Sequence, residues 1–190
     1  MILRFGMMIT FVTGNDQKWE SATTLLAPLG VALVRATYAL PEIQSLSVQE
    51  VAAEAARLAC GKVNGPVMVT DAGYYFEGLG GFPGPFVKYM NQTLTAEDFL
   101  RLMQGKTNRR VTIREALAYC EPEGEPVVFV SEQRATVAVE AGLGATTMDR
   151  ILVLEGFEQV VGECDEADVR AFWCKHLTHY VQLGEWLASR

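Results

Sequence analysis

An α/β fold is predicted by three features of the sequence. Short apolar runs rich in branched residues alternate with stretches whose apolar positions recur at helical spacing. The first run, Met7 to Val12, is closed by Gly14-Asn15 and followed at once by a helix-like segment. Further on, Val111 to Cys120 and Pro126 to Val137 alternate like two antiparallel strands joined by the turn Pro122-Glu123-Gly124.

The elements follow in chain order. From Asp16 to Leu26 the positions Trp19, Ala22, Leu25 and Leu26 share helical spacing, and Pro28 and Gly30 stop the helix. Val31 to Thr37 reads as the next strand, followed by a loop through Leu40-Pro41-Glu42. Ser47 with Glu50 three residues on has the capping-box pattern, opening a helix to about Lys62 with Val51, Ala55, Leu58 and Ala59 on one face. Pro66 to Thr70 reads as an apolar strand ending at Asp71, and the glycine-dense stretch Gly73 through Gly84 as a long functional loop. Short helices around Phe86 to Asn91 and from Thr95 to Met103 precede the hairpin. Met148 to Leu154 reads as a last strand, and Val169 to Leu187 as one amphipathic terminal helix. With no repeat, no low-complexity linker and no clear boundary, a single domain of residues 1–190 is expected, with a smaller lobe inserted around 85–145.

A chain of 190 residues can bury a real core, since roughly 70% of the unfolded surface leaves the water at this size. Hydrophobic residues make up 49% and charged residues 21%, a folded globular composition. The formal net charge of −7 argues against a nucleic-acid polymer or an anionic membrane as partner. It allows one small nucleotide held by a few lysines. Cys60, Cys120, Cys164 and Cys174 show neither close pairing nor metal-ligand spacing and read as free thiols of a reducing cytoplasm. The apolar start Met1 to Val12 ends in Thr13-Gly14-Asn15-Asp16, not in the small-residue cleavage site of a signal peptide. No run approaches the ~20 apolar residues of a membrane span. A cytoplasmic location is expected.

Three segments carry candidate chemistry. In Thr13-Gly14-Asn15-Asp16-Gln17-Lys18 a glycine turn leads into a helix N-terminus, where backbone N–H groups and the helix dipole favour an anion and Lys18 can reach back to a phosphate. An ordinary helix start has the same pattern. Glu42, in a loop, and Asp71, at a strand end, are hard oxygen donors that suit Mg²⁺ together with substrate phosphates. A solvated loop acid and a turn cap are the plain readings of these two. In Gly80-Gly81-Phe82-Pro83-Gly84-Pro85-Phe86-Val87-Lys88 a second glycine-led helix start carries Lys88 one turn in.

Taken together, Thr13-Gly14-Asn15-x-x-Lys18-x-Glu20, Leu40-Pro41-Glu42-Ile43-Gln44, Val69-x-Asp71 and Gly80-Gly81-Phe82-Pro83-Gly84-Pro85-Phe86-Val87-Lys88 resemble the inosine triphosphate pyrophosphatase (ITPase) family. Order and spacing match over about the first half of the chain. The resemblance implies a long central mixed sheet with two α/β lobes flanking a nucleotide cleft, and a homodimer. It implies hydrolysis of non-standard purine triphosphates such as ITP, dITP and XTP, or of a triphosphate with an altered base, to the monophosphate and pyrophosphate. Mg²⁺ is the implied cofactor, with Mn²⁺ as an alternative. Thr13, Gly14, Asn15, Lys18 and Lys88 would hold the phosphates and Glu42 and Asp71 the metal, with Asp71 and Lys18 serving catalysis.

The second half departs from the family pattern. Thr70 stands where a second acid usually precedes the Ser/Thr-Gly turn, and Ala55 where a lysine faces the phosphates. The Phe-Gly-Trp/Tyr-Asp stretch, whose aromatic stacks on the base, reads Thr146-Thr147-Met148-Asp149, so only Asp149 remains. The purine-reading Lys-Asn-x-x-Ser-His-Arg is reduced to Thr178-His179-Tyr180, with Lys175 one position out of register. Asp149 and His179 are the remaining candidates for the base end. His176 and His179, on one helix face with Cys174 nearby, are read as a partly exposed face in preference to a metal site. Each lost contact removes on the order of 1–3 kcal/mol of base discrimination. Besides a pyrophosphatase of altered base preference, the sequence therefore admits a catalytically impaired nucleotide-binding or regulatory homologue, or an assembly role.

Overall fold

The computed structural model describes residues 8–190. The architecture is α/β, as predicted. Five-residue β1 (Met8–Val12) runs parallel to β2 (Ala32–Ala36) on one side and to β3 (Val67–Phe76) on the other. Parallel neighbours require crossovers, which α1 (Asp16–Leu26) and α2 (Val48–Val63) supply. Then come β4 (Pro83–Gly84), α3 (Val87–Thr93), α4 (Ala96–Leu102), β5 (Arg110–Cys120) and β6 (Val127–Val137). The chain ends with α5 (Thr147–Ile151), β7 (Leu152–Leu154), α6 (Glu166–His176) and α7 (Thr178–Ala188). The sheet is mixed, in the order β2-β1-β3-β5-β6-β7, with β4 paired antiparallel to β3 and β7 antiparallel to β6.

Two compact units divide the chain. The first comprises Met1–Asp71, Glu115–Ser131 and Leu177–Arg190, and the second Ala72–Arg114 and Glu132–His176. In the first unit Ile9, Phe11, Leu26, Met68, Leu117 and Leu183 are fully buried. The buried face of α2 centres on Ala52 and Ala56, slightly rotated from the expected one, because Ala55 and Leu58 remain half-exposed. α7 packs against α1, and its Trp186 meets Tyr119 and Phe129 edge-on at 5.6 and 5.9 Å. In the second unit Phe76, Phe99, Met103, Ile113, Met148, Ile151 and Phe172 form one cluster. Phe76 and Phe99 lie 4.6 Å apart.

Several boundaries differ from expectation. β3 does not stop at Asp71 but runs on to Phe76. Tyr74, Tyr75 and Phe76 favour the pleated surface and outweigh the breaking tendency of Gly73, and Tyr74 and Tyr75 pair with Gly84 and Pro83. The glycine-rich segment thus shrinks to a tight turn in which Gly80 and Gly81 take φ of 64° and 93°. The expected strand at Met148 begins as α5, because Thr146 and Asp149 form a complete capping box. At α2 that box is only half made: Ser47 accepts from the Glu50 N–H, but the Glu50 carboxylate accepts from Ser45 Oγ at 2.6 Å.

The single terminal helix is in fact two. Leu177, buried and with ψ of 55°, breaks it, and the His176 carbonyl accepts from Gln133 Nε2 at 3.0 Å. His176 Nδ1 lies 2.8 Å from the Phe172 carbonyl. Among the described residues no three metal-ligating side chains converge, and no helix is long and apolar enough to cross a membrane.

Replacing Phe76, which has no exposed surface and packs its ring at a tilt against Phe99, tests the second core. Phe76→Ala is expected to cost about 3–5 kcal/mol in chemical denaturation. A loss below about 1 kcal/mol would mean that this cluster does not hold the unit together.

Candidate functional site

The loop after β1 is fixed from several directions. Thr13 N–H donates to Ala36 O at 2.9 Å, and Thr13 Oγ1 accepts from Asn15 N–H at 3.1 Å. Asn15 caps α1 through its side chain, which accepts from Lys18 N–H at 3.1 Å. The first-turn amides ahead of Lys18 have no intrahelical acceptor, as at any helix start, and Gly14, Asn15, Asp16 and Gln17 are exposed. Arg35 on β2, which the sequence reading passed over, braces this loop: it donates to Thr13 O at 3.2 Å and pairs with Asp16 at 2.7 Å. That pair offsets the charge of Asp16 in the first turn of α1. Gly14 has room for a side chain, since a Cβ there would lie 3.8 Å from Thr37 Cγ2.

Lys18 turns back toward the sheet, where its Nζ donates to Thr70 O at 3.0 Å. The ammonium is thereby held at the residue just before Asp71, which is half-buried within β3. Glu115 on β5 faces the same place. Burial pushes its carboxyl up to about 7; the Lys18 charge opposes the rise and the Asp71 charge adds to it. Sequence reasoning missed Glu115. The available signal was a charged pair, Arg114-Glu115, in front of the buried run Ala116 to Cys120. Neighbouring strand residues point to opposite faces. Arg114 is committed to Glu132 at 2.6 Å and lies 4.9 Å over the Tyr75 ring.

His179 and Tyr180 close the cluster from α7. The Tyr180 hydroxyl donates to Lys18 O at 3.4 Å, and burial pushes its ionisation up. His179 is fully buried, with Nδ1 2.7 Å from Ser131 Oγ and its ring 4.2 Å from that of Tyr180. Its Nε2 has no hydrogen-bond partner among the described residues. The first unit therefore brings together Thr13, Gly14, Asn15, Lys18, Asp71 and His179 from the sequence reading, and adds Arg35, Glu115, Ser131 and Tyr180. Glu42 belongs to the same unit but is exposed, on the loop between β2 and α2.

Lys88, exposed on α3, and Asp149 belong to the second unit. Asp149 is occupied at the start of α5, where its carboxylate accepts from Thr146 N–H at 2.9 Å. A concavity of about 800 Å³ in that unit is lined by Glu77, Arg110, Glu132 and Arg134 among others. It contains none of the predicted residues, and Arg110 is paired with Glu77 at 3.0 Å.

Glu42 and Asp71 are carboxylates, a donor type that Mg²⁺ takes together with phosphate oxygens and water. Burial first, and the Lys18 charge second, push the His179 imidazole down from 6.5 to about 3. The unfolded chain takes up a proton as the pH falls below 6.5, while the folded chain does not until about 3. His179 therefore contributes stability above 6.5 that is lost as the pH falls through that window. His179→Gln is expected to flatten the pH dependence of the unfolding free energy there, so that the gap to the parent protein narrows toward acid. A gap independent of pH would overturn the buried neutral imidazole.

Comparisons with known proteins bear on the family and the fold. The sequence profile of the Ham1 family matches residues 9–172. A dITP/XTP pyrophosphatase of Methanopyrus kandleri is 37% identical over 83% of this chain and 84% of its own. One from Pyrobaculum aerophilum is 35% identical over 97% of this chain and 98% of its own. Among solved structures, a HAM1 protein from Coxiella burnetii superimposes with a TM-score of 0.80 at 18% identity, covering 97% of this chain and 100% of that one. With one profile spanning most of its length and relatives above 30% identity, the chain belongs to the Ham1 family.

Proposed function

We propose that the chain is a divalent-metal-dependent nucleoside triphosphate pyrophosphatase that converts a non-standard purine triphosphate, such as dITP, ITP or XTP, or one with an altered base, to its monophosphate and pyrophosphate. The observation that carries this is the anchoring of Lys18 to Thr70 O beside Asp71, below a capped helix start. The ammonium is held at the residue just before Asp71, and it comes from the first turn of the same capped helix. That combination suits a polyphosphate accompanied by a cation better than either one alone.

The roles follow from the chemistry. Lys18 and the Thr13-Gly14-Asn15 turn bind phosphate oxygens and orient the chain of phosphates. Asp71, with Glu42 from the neighbouring loop, would hold Mg²⁺, and Asp71 also orients the water that attacks the α-phosphorus. Bound there, Mg²⁺ supplies charge neutralisation of the phosphates and of the leaving pyrophosphate. The family names of the relatives support the substrate class. A homodimer and a cytoplasmic setting belong to the same proposal.

A second reading has its own observations: the base-end candidates have internal duties, Asp149 as a helix cap and His179 against Ser131. These favour a nucleotide-binding homologue with impaired turnover. Incubation with Mg²⁺ and ITP, dITP, XTP and the common triphosphates, with pyrophosphate as the readout, separates the two. Release from at least one is expected, and thermal stabilisation by a triphosphate without release would transfer the assignment to the second reading. Asp71→Asn is expected to lower kcat by about 10²–10⁴-fold while retaining the fold, and full activity would remove Asp71 from the site. Lys18→Ala is expected to raise KM for the triphosphate about tenfold or more, and an unchanged KM would refute its role as phosphate ligand.

A further inference from the structure

We propose, on the basis of the triphosphate reading above, that Arg35 is a positioning residue of the site: it aims the Thr13-Gly14-Asn15 turn at the phosphates and cancels the Asp16 charge that would repel them. Register brings Arg35 there. It lies opposite Phe11 in the parallel pairing of β1 with β2, so the two side chains share one face of the sheet. Trp19 of α1 packs on that face, with its ring 6.3 Å from that of Phe11 and 5.9 Å from the Arg35 guanidinium carbon. An aromatic ring behind a planar cation holds it in place.

From this position one side chain makes two bonds to the turn. Nε donates to Thr13 O at 3.2 Å, where Thr37 Oγ1 also donates at 3.4 Å, and a terminal nitrogen pairs with Asp16 at 2.7 Å. A trans peptide unit is planar, so its C=O and N–H point opposite ways. Holding Thr13 O toward β2 therefore turns the Gly14 N–H away from β2. That is the side of β1 on which β3 runs and Lys18 Nζ meets Thr70 O.

The second bond concerns charge. Asp16 stands in the first turn of α1, where an acid favours the helix but repels an anion approaching the same amides. Its side chain is 83% exposed and that of Arg35 31%, and ion pairs so open to water add little to stability. What this pair changes is the field at the turn. With the Asp16 charge compensated, the first-turn amides are left to attract the phosphates.

Titration with the non-hydrolysable α,β-methylene analogue of ITP and Mg²⁺ reads binding apart from turnover. Arg35→Ala is expected to weaken the affinity about tenfold. With ITP itself KM should rise by a similar factor while kcat stays within about threefold of the parent, the pattern of lost uniform binding. Asp16→Asn is expected to tighten binding about threefold. Arg35→Ala/Asp16→Asn should return to within about threefold of the parent, the remainder being the lost bond to Thr13 O. Should circular dichroism show that Arg35→Ala does not fold, Arg35→Gln takes its place, since it keeps the stem and a donor for Thr13 O but loses the charge. An unchanged affinity on removal of the Arg35 charge would overturn the proposal. So would a loss that Asp16→Asn does not restore, which would make Arg35 a packing support of β2 alone. In both cases the parent still binds the analogue and the triphosphate reading stands. If the parent binds neither the analogue nor ITP, that reading falls first and the role of Arg35 with it.

Discussion

Phe11 lies opposite Met68 in the parallel pairing of β1 with β3, so the loop after Val12 opens level with Thr70 and Asp71. Everything proposed for the site depends on this register. A slip of one residue would turn the side chains of the slipped strand to its opposite face and carry Thr70 O out of reach of Lys18. The register is protected by burial on both strands: Ile9, Phe11, Val67 and Met68 have no exposed surface. Ligand crevices in parallel sheets lie beyond the carboxyl ends of strands, and here the relevant end is that of β1. β3 continues past it, so Asp71 sits within a strand.

Charge then decides what this crevice accepts. The Lys18 charge adds to the larger effect of burial in lowering His179, and it favours the charged form of Glu115. For Glu115 burial outweighs this help, which is why its carboxyl rises in spite of the nearby ammonium. A cluster with one lysine between two acids has little spare positive charge. A bare triphosphate would meet repulsion from Asp71 and Glu115, and a divalent cation entering with it reverses that balance. The acidic pair therefore makes joint binding of cation and polyphosphate physically coherent, where a lysine-only pocket would take the anion alone.

The sequence was most readable where local signals decided the structure. The span of α1 matches expectation because Asn15 caps its start and Pro28 and Gly30 follow its end. Where long-range packing decided, reading failed. Gly73 looked like a strand terminator, yet Tyr74 and Tyr75 find partners in β4. The helical period of residues 169–187 runs unbroken on paper, while buried Leu177 splits it. The same divide holds for the site: Thr13, Asn15 and Lys18 form one local motif. Glu115 and Ser131 come from strands remote in sequence, and only the sheet order makes β5 a neighbour of β3. Arg35 lay in a strand whose alternation looked purely structural, and its pairing with Asp16 follows from the β1–β2 register.

The site is thus uneven in what it can distinguish. On the proposed function its phosphate end draws on the loop after β1, on α1 and on β3. At the base end, the residues matching the family pattern stabilise the fold instead: Asp149 closes a capping box, and His179 occupies a buried position beside Ser131 and Tyr180. Triphosphates share their phosphates and differ only in base and sugar, so binding energy collected at the phosphate end lowers the barrier for all of them alike. Discrimination needs a contact that one base satisfies and another leaves unpaired in a dry site. In the first unit, His179 Nε2 is a buried ring nitrogen without a hydrogen-bond partner among the described residues. Using it would require α7 to yield some of the packing that now buries it, so base selectivity in this chain would be gained at the expense of core contacts.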